Sequence, residues 1–221
     1  MKDKKLLSDI KEYLKCYENQ VLEDWYELIR HISVSETGEG IETCCDWIQK
    51  KMEEIGIQVT KYSVKPAPVL VGRFGNDPEK KTVLIYAHYD VKPAGERKLW
   101  HSDPFVPTVR DGKVYARGSA DNKSPLMAHL KALEYFIRRK MEVPVNVIFV
   151  FEGDEECGSR GLEEFLAEHR TELAADLVFF SDGPKDPSGL PIIALGAKGD
   201  LSIHITVETM NRNVHARYAP V

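Results

Sequence analysis

Three short, nearly continuous apolar runs place the strongest constraint on what this chain can fold into. They cover residues 82–87 (TVLIYA), 145–151 (VNVIFVF) and 177–180 (LVFF). Runs of this kind indicate strands that are buried on both faces of a sheet. Apolar positions at helical spacing predict four helices around them, over residues 3–31, 39–55, 122–140 and 159–169. The alternation predicts an α/β fold, a three-layer sandwich whose mixed, mostly parallel sheet is covered by helices on both faces.

The pattern changes near residues 196–199. Residues 201–207 (LSIHITV) alternate apolar and polar side chains, which is typical of a half-exposed strand. We therefore expect residues 1–196 to form most of one domain. Residues 197–221 are expected to begin a small α+β domain, and they are too few to build a core by themselves.

Composition and charge exclude several classes of partner. The 221 residues carry a formal net charge of -5 with a pI of about 5.8, which gives no electrostatic reason to bind nucleic acid or an anionic membrane. No apolar stretch is long enough to span a bilayer, and residues 1–15 lack the apolar segment of a signal peptide. Four cysteines without a C-x-x-C pattern indicate reduced thiols. A cytoplasmic location is expected.

Acidic and histidine side chains follow each of the three apolar runs. They are His88 and Asp90 after the first run, Glu155 and Glu156 after the second, and Asp182 after the third. Asp121 lies just before the long predicted helix. Ligands of open α/β sheets bind beyond the carboxyl ends of the strands. These residue types at these places therefore predict a polar site at one edge of the sheet.

Imidazole and carboxylate groups without a thiolate suit a catalytic zinc ion or a similar divalent cation. Several carboxylates with few histidines favour two ions that share one bridging carboxylate. Each motif alone has a simpler interpretation: a single H-x-D is usually without function, a Glu pair is usually solvated, and an Asp after a strand is usually a cap or turn residue.

Longer motifs resemble one known family when they are taken together. They are AHYDV at 87–91, WHSDPF at 100–105, DGKVYARG at 111–118, DNK at 121–123, FEGDEECGS at 151–159 and SDGP at 181–184. In this order they resemble the zinc metallopeptidase and deacylase family of aminoacylases, carnosinase-like dipeptidases, acetylornithine deacetylase and succinyl-diaminopimelate desuccinylase. The resemblance runs from about residue 20 to the last residue.

The resemblance implies a role for each site residue. His88, Asp121 and Asp182 resemble the ligands of one zinc ion, and Asp121 with Glu156 those of a second. Glu155 resembles the general base that takes a proton from a metal-bridged water, and Asp90 the residue that orients His88. The peptide bond between Asp121 and Asn122 is expected to be cis. The cofactor implied is two Zn²⁺ ions, with Mn²⁺ or Co²⁺ as alternatives.

His215 resembles a histidine of the family's lid domain that stabilises the oxyanion, often in the partner subunit of a homodimer that forms through the lid. The segment NVHAR at 213–217 stands where the family commonly has D-x-H-S-G, so the interpretation of His215 as a solvated loop residue stays open. Members of the family are longer. We therefore expect the chain to be the N-terminal part of such an enzyme and to be inactive alone, because a distal zinc-ligand histidine and most of the lid are missing.

The sequence thus predicts a zinc-dependent hydrolase of the amide bond in dipeptides. Two alternatives remain open: an N-acyl-amino-acid deacylase or desuccinylase, and a non-catalytic remnant that binds metal or a partner. The expected substrate is a small dipeptide or an N-acyl amino acid. The motif residues do not separate the two enzymes, because both use the same attack by water.

Overall fold

A five-stranded mixed sheet forms the centre of the fold. The computed structural model describes residues 2–183, 188–190, 192–194, 199, 201 and 203–207. The strands of the described residues, in chain order, are β1 (Gln58–Tyr62), β2 (Val69–Phe74), β3 (Thr82–His88), β4 (Thr108–Arg110), β5 (Lys113–Tyr115), β6 (Asn146–Glu152) and β7 (Leu177–Phe180). The main sheet has the order β1-β2-β6-β3-β7, and β4 and β5 pair separately as a hairpin. The pairs β6–β3 and β3–β7 are parallel, whereas β1–β2 and β2–β6 are antiparallel.

Four α-helices accompany the sheet, close to the predicted ranges. They are α1 (Lys2–Arg30), α2 (Ile41–Ile55), α3 (Lys123–Arg138) and α4 (Leu162–Glu168). Helix α2 ends at Gly56, which adopts a φ of 93° and donates its backbone N–H back to the last turn. A left-handed residue at this place is the usual role of glycine after a helix.

The helices lie in two layers, one on each face of the sheet. Successive residues of β6 point to opposite faces, so Phe149 and Phe151 pack against α1, α2 and α3, while Ile148 and Val150 pack towards α4. All seven residues of β6 are buried, as its continuous apolar run predicts. The predicted three-layer α/β architecture is therefore confirmed.

Strand β7 departs from the prediction of a buried strand. Its four residues are between 48% and 59% exposed. The strand is the last in the sheet order and pairs only with β3 in the described part of the chain. Tyr86 of β3 packs against it, and its ring stacks on Phe180 with centroids 4.3 Å apart. The apolar run predicted the strand correctly, but its burial depends on neighbours that a local pattern does not contain.

Residues after Gly183 form a second unit. Of the predicted strand at 201–207, the described residues are 201 and 203–207, and none of them is in a strand. The prediction is wrong for these residues, because no neighbouring strand pairs with them in the described part of the chain. Their apolar side chains are at least 72% exposed. The proposed domain boundary at 196/197 stays a prediction.

Among the described residues, no helix is both long enough and apolar enough to cross a bilayer.

Candidate metal centre

The predicted site residues lie beyond the carboxyl ends of three adjacent parallel strands. His88 is the last residue of β3, and Asp182 follows β7 by two residues. Glu155 and Glu156 lie in a single 3₁₀ turn (Glu155–Cys157) just after β6. The fifth residue, Asp121, lies two residues before the start of α3. Because β6, β3 and β7 run in parallel, their carboxyl ends bring these groups to one edge.

Three of these side chains form a group that could hold a cation. His88 Nε2 lies 3.0 Å from Asp121 Oδ1 and 3.3 Å from Asp182 Oδ2. One ligand atom from each of the three residues fits within a 4.8 Å cluster. The imidazole is fully buried, whereas the Asp121 side chain is 64% exposed. One histidine and two carboxylates make a three-ligand set that leaves a position open, as catalytic divalent metal sites do.

A buried carboxylate fixes both the imidazole and the turn with the two glutamates. Asp90 is inaccessible to solvent, and its Oδ1 lies 3.3 Å from His88 Nδ1. The same carboxylate accepts the backbone N–H groups of Glu155 and Glu156 at 3.2 Å and 3.1 Å. Although burial opposes the shift, the hydrogen bond and charge of His88, followed by hydrogen bonds from Ser35 and the Glu156 backbone, lower the pKa of Asp90. The sequence indicated the contact with His88 but gave no sign of the contact with the turn.

The electrostatics of the edge favour a cation. Burial of the His88 ring opposes its protonation, but Asp90, Glu155 and Asp182 outweigh burial and raise the pKa of His88 to about 9. Glu155 Oε2 lies 3.7 Å from His88 Nε2. Burial and the neighbouring carboxylates of Asp182, Glu156 and Asp90 raise the pKa of Glu155, against the opposing effect of His88. Mutual repulsion among carboxylates is relieved when a positive charge lies between them.

Glu156 lies outside the three-residue group. Its side chain is largely buried, and Oε2 lies 3.4 Å from Lys92 Nζ. Lys92 also donates to the backbone carbonyl of Glu156. The role of Glu156 as a ligand of a second ion therefore stays a prediction. His215 lies outside the described residues, so its predicted role also stays a prediction.

An ion pair that the sequence did not reveal stabilises the turn after β6. Asp154 is 4% exposed and receives Arg160 Nε at 2.9 Å and Nη2 at 2.6 Å. It also accepts the Arg160 backbone N–H. The segment between the two residues contains Glu155 and Glu156. A charged residue in a loop is usually solvated. In the sequence, Asp154 differed from such a residue only by its position next to the Glu pair.

Gly153 lets the chain pass close to a buried ring. A Cβ atom built at Gly153 would lie 2.5 Å from the Tyr89 ring, and Tyr89 is fully buried with its hydroxyl bonded to the Pro68 carbonyl. We expect Gly153→Ala to lower the free energy of unfolding by about 1–3 kcal/mol, because the overpacked ring has no free space to move into. Urea unfolding measures this effect. In the matched control Gly183→Ala, a Cβ meets nothing within 4 Å; an equal loss in both variants would contradict the steric explanation.

The segment 121–123 joins the site to the end of α1. The predicted cis peptide bond between Asp121 and Asn122 is confirmed. Lys123 is 1% exposed, and its Nζ donates to the carbonyls of Leu28 at 3.1 Å and His31 at 2.6 Å, at the end of α1. A buried ammonium is tolerated when such acceptors surround it. Asp121 therefore precedes a helix whose first turn is anchored to α1.

Comparison with known proteins agrees with the fold and identifies the family. The sequence profile described as Peptidase family M20/M25/M40 matches residues 84–219, and the chain belongs to this family. It is 40% identical over 172 residues to the Cys-Gly metallodipeptidase dug1 of Schizosaccharomyces pombe, which covers 75% of this chain and 36% of that protein.

Two solved structures are similar to the described fold. Human carnosine dipeptidase 1 matches with a TM-score of 0.76 and 29% identity, over 80% of this chain and 41% of that one. The M20 family metallo-carboxypeptidase Sso-CP2 of Sulfolobus solfataricus matches with a TM-score of 0.73 and 36% identity, over 76% and 38%. The chain thus spans about two fifths of the length of the proteins it resembles.

Proposed function

We propose that this chain provides part of the metal centre of a metal-dependent dipeptidase. The observation that carries the proposal is the convergence of His88, Asp121 and Asp182, with Glu155 beside them. The similarity of the chain to a Cys-Gly metallodipeptidase and to a carnosine dipeptidase supports a dipeptide as the substrate. Zn²⁺ is the proposed cofactor, because its preferred ligands include imidazole and carboxylate.

His88 and Asp90 prepare the coordinating atom. Asp90 lies next to Nδ1 of the ring and holds a proton there, so Nε2, which faces Asp121 and Asp182, is the nitrogen that would coordinate a cation. Such carboxylate–histidine pairs fix the tautomer and raise the basicity of the ligand. A divalent cation bound there supplies Lewis-acid activation of water and of the amide carbonyl.

Glu155 is the proposed general base. Its carboxylate is partly buried beside the site, and the raised pKa makes it a stronger base than an ordinary glutamate. It accepts a proton from the attacking water at an Oε atom and then transfers this proton to the leaving amine nitrogen. Asp90 and the Asp154–Arg160 pair hold the turn, which keeps the Glu155 carboxylate close to the site.

We assign the proposed dipeptidase activity to a polypeptide that is as long as the relatives. Within the described part of the chain, three proposed ligands are available for one ion, and Asp121 and Glu156 are the two proposed for the second. We therefore propose that this chain alone binds one ion and does not turn over substrate. Dimerisation through the second domain is also proposed. Four free cysteines favour a reducing, cytoplasmic compartment.

Activity assays with and without a chelator test the proposal. We expect a polypeptide of the relatives' length to hydrolyse Cys-Gly or β-Ala-His, to lose this activity in EDTA and to regain it with Zn²⁺. The 221-residue chain should show no turnover under the same conditions. Preferential hydrolysis of N-acetyl amino acids would instead indicate the deacylase, and hydrolysis that is insensitive to EDTA would contradict the metal mechanism.

A further inference from the structure

A hydrogen-bonded cluster around Ser181 connects the two segments that carry the carboxylates of the candidate metal centre. Asn122 Nδ2 donates to the backbone carbonyl of Ser181 at 3.1 Å. His129 Nε2 lies 2.9 Å from the Ser181 hydroxyl oxygen. Asn122 directly follows Asp121, and Ser181 directly precedes Asp182. Each proposed carboxylate ligand is therefore one residue away from this cluster.

The two carboxylates need such support more than His88 does. The His88 ring is fully buried and held by Asp90, whereas the side chains of Asp121 and Asp182 are 64% and 25% exposed. They also belong to different segments, one before α3 and the other after the exposed strand β7. Burial alone does not fix the distance between them, so a connection between the two segments has to do so.

Both partners of Ser181 are themselves held in place. Asn122 is 1% exposed, and the next residue, Lys123, is anchored to the end of α1. The His129 ring packs edge-on against Phe179 of β7, with centroids 5.4 Å apart. Burial lowers the pKa of His129, so the ring is neutral near pH 7 and can pair with the hydroxyl as donor or acceptor.

We infer that His129 and Asn122 are positioning residues that hold Ser181 and thereby set the spacing of Asp121 and Asp182. The inference rests on the metal centre of the proposed function. Neither residue touches the coordinating atoms. Groups that support metal ligands in this way typically change metal affinity by about 10–100-fold when they are removed. The neighbouring ligands would remain present in such variants but would be less well pre-arranged.

Cobalt titration of the full 221-residue chain tests this role without an activity assay. Co²⁺ reports both affinity, by competition with a chromophoric chelator, and ligand geometry, by its visible absorption. We expect His129→Leu and Ser181→Ala each to weaken Co²⁺ binding about 10-fold and to alter the absorption bands. The double variant should be no weaker than the single variants, because both remove one hydrogen bond. His129→Gln, which can still pair with the hydroxyl, should recover part of the affinity.

Two controls separate positioning from folding and from failure of the metal centre. Leu133→Ala removes a buried side chain of the same helix and should lower the unfolding midpoint without changing Co²⁺ affinity. His88→Ala should abolish binding. If His88→Ala abolishes binding but His129→Leu and Ser181→Ala stay within twofold of the parent, the inference is wrong and the metal centre stands. If the parent chain binds no Co²⁺, or His88→Ala binds it normally, the positioning inference and the proposed metal centre are both wrong.

Discussion

Replacing Glu155 by Gln in the active polypeptide is expected to lower kcat by about 10²–10⁴-fold while the bound metal is retained. The amide has nearly the same shape as the carboxylate but cannot accept a proton from water. Glu155 is not in the three-residue ligand group, so its replacement leaves the proposed coordination of the first ion intact. The loss should therefore fall on kcat rather than on metal content.

Steady-state kinetics and metal analysis of the same preparation test this expectation. Glu164→Gln is the matched control, because Glu164 lies on an exposed position of α4 and should leave both quantities unchanged. A Glu155→Gln enzyme that keeps more than about a tenth of the parent rate would assign the proton transfer to another group, since a general base contributes at least about 10²-fold.

Replacing His88 by Ala is expected to abolish metal binding by the chain. Among the described residues, His88 is the one nitrogen ligand of the proposed centre, and two exposed or partly exposed carboxylates remain without it. The substitution also removes a partner of the buried Asp90 carboxylate. Leaving a buried charge with fewer partners is destabilising, so the free energy of unfolding should fall as well.

Equilibrium dialysis with Zn²⁺ and urea unfolding measure the two effects separately. The control His169→Ala removes a histidine that packs against Tyr62 and Phe165, away from the site. It should retain zinc at the parent level. Zinc binding of parent strength in a folded His88→Ala chain would show that the metal ligands have been wrongly assigned.

The sequence predicted those features that depend on local pattern and on strand direction. Residues 145–151 indicated a strand buried on both faces, and β6 is such a strand. His88 and Asp182 were expected at one edge because parallel strands end together, and their side chains lie 3.3 Å apart. Neither inference needs knowledge of distant packing, which is why both hold.

Features that depend on tertiary neighbours were not predictable. Residues 177–180 have the composition of a buried strand, yet β7 lies at the end of the sheet and is exposed. His129 lies on an ordinary helix and contacts Ser181, 52 residues away. Nothing near His129 in the sequence marks this contact. The hydrogen bond between Asp90 and the Glu155 turn joins residues 65 positions apart, and no sequence motif indicates it either.

Anomalous diffraction at the zinc absorption edge, from crystals of the chain grown with Zn²⁺, tests the central claim most directly. We predict one strong anomalous peak within coordination distance, about 2.0–2.2 Å, of His88 Nε2 and of carboxylate oxygens of Asp121 and Asp182. A zinc-loaded crystal with no peak between these three side chains, or with its main peak on other residues, would contradict the proposed metal centre.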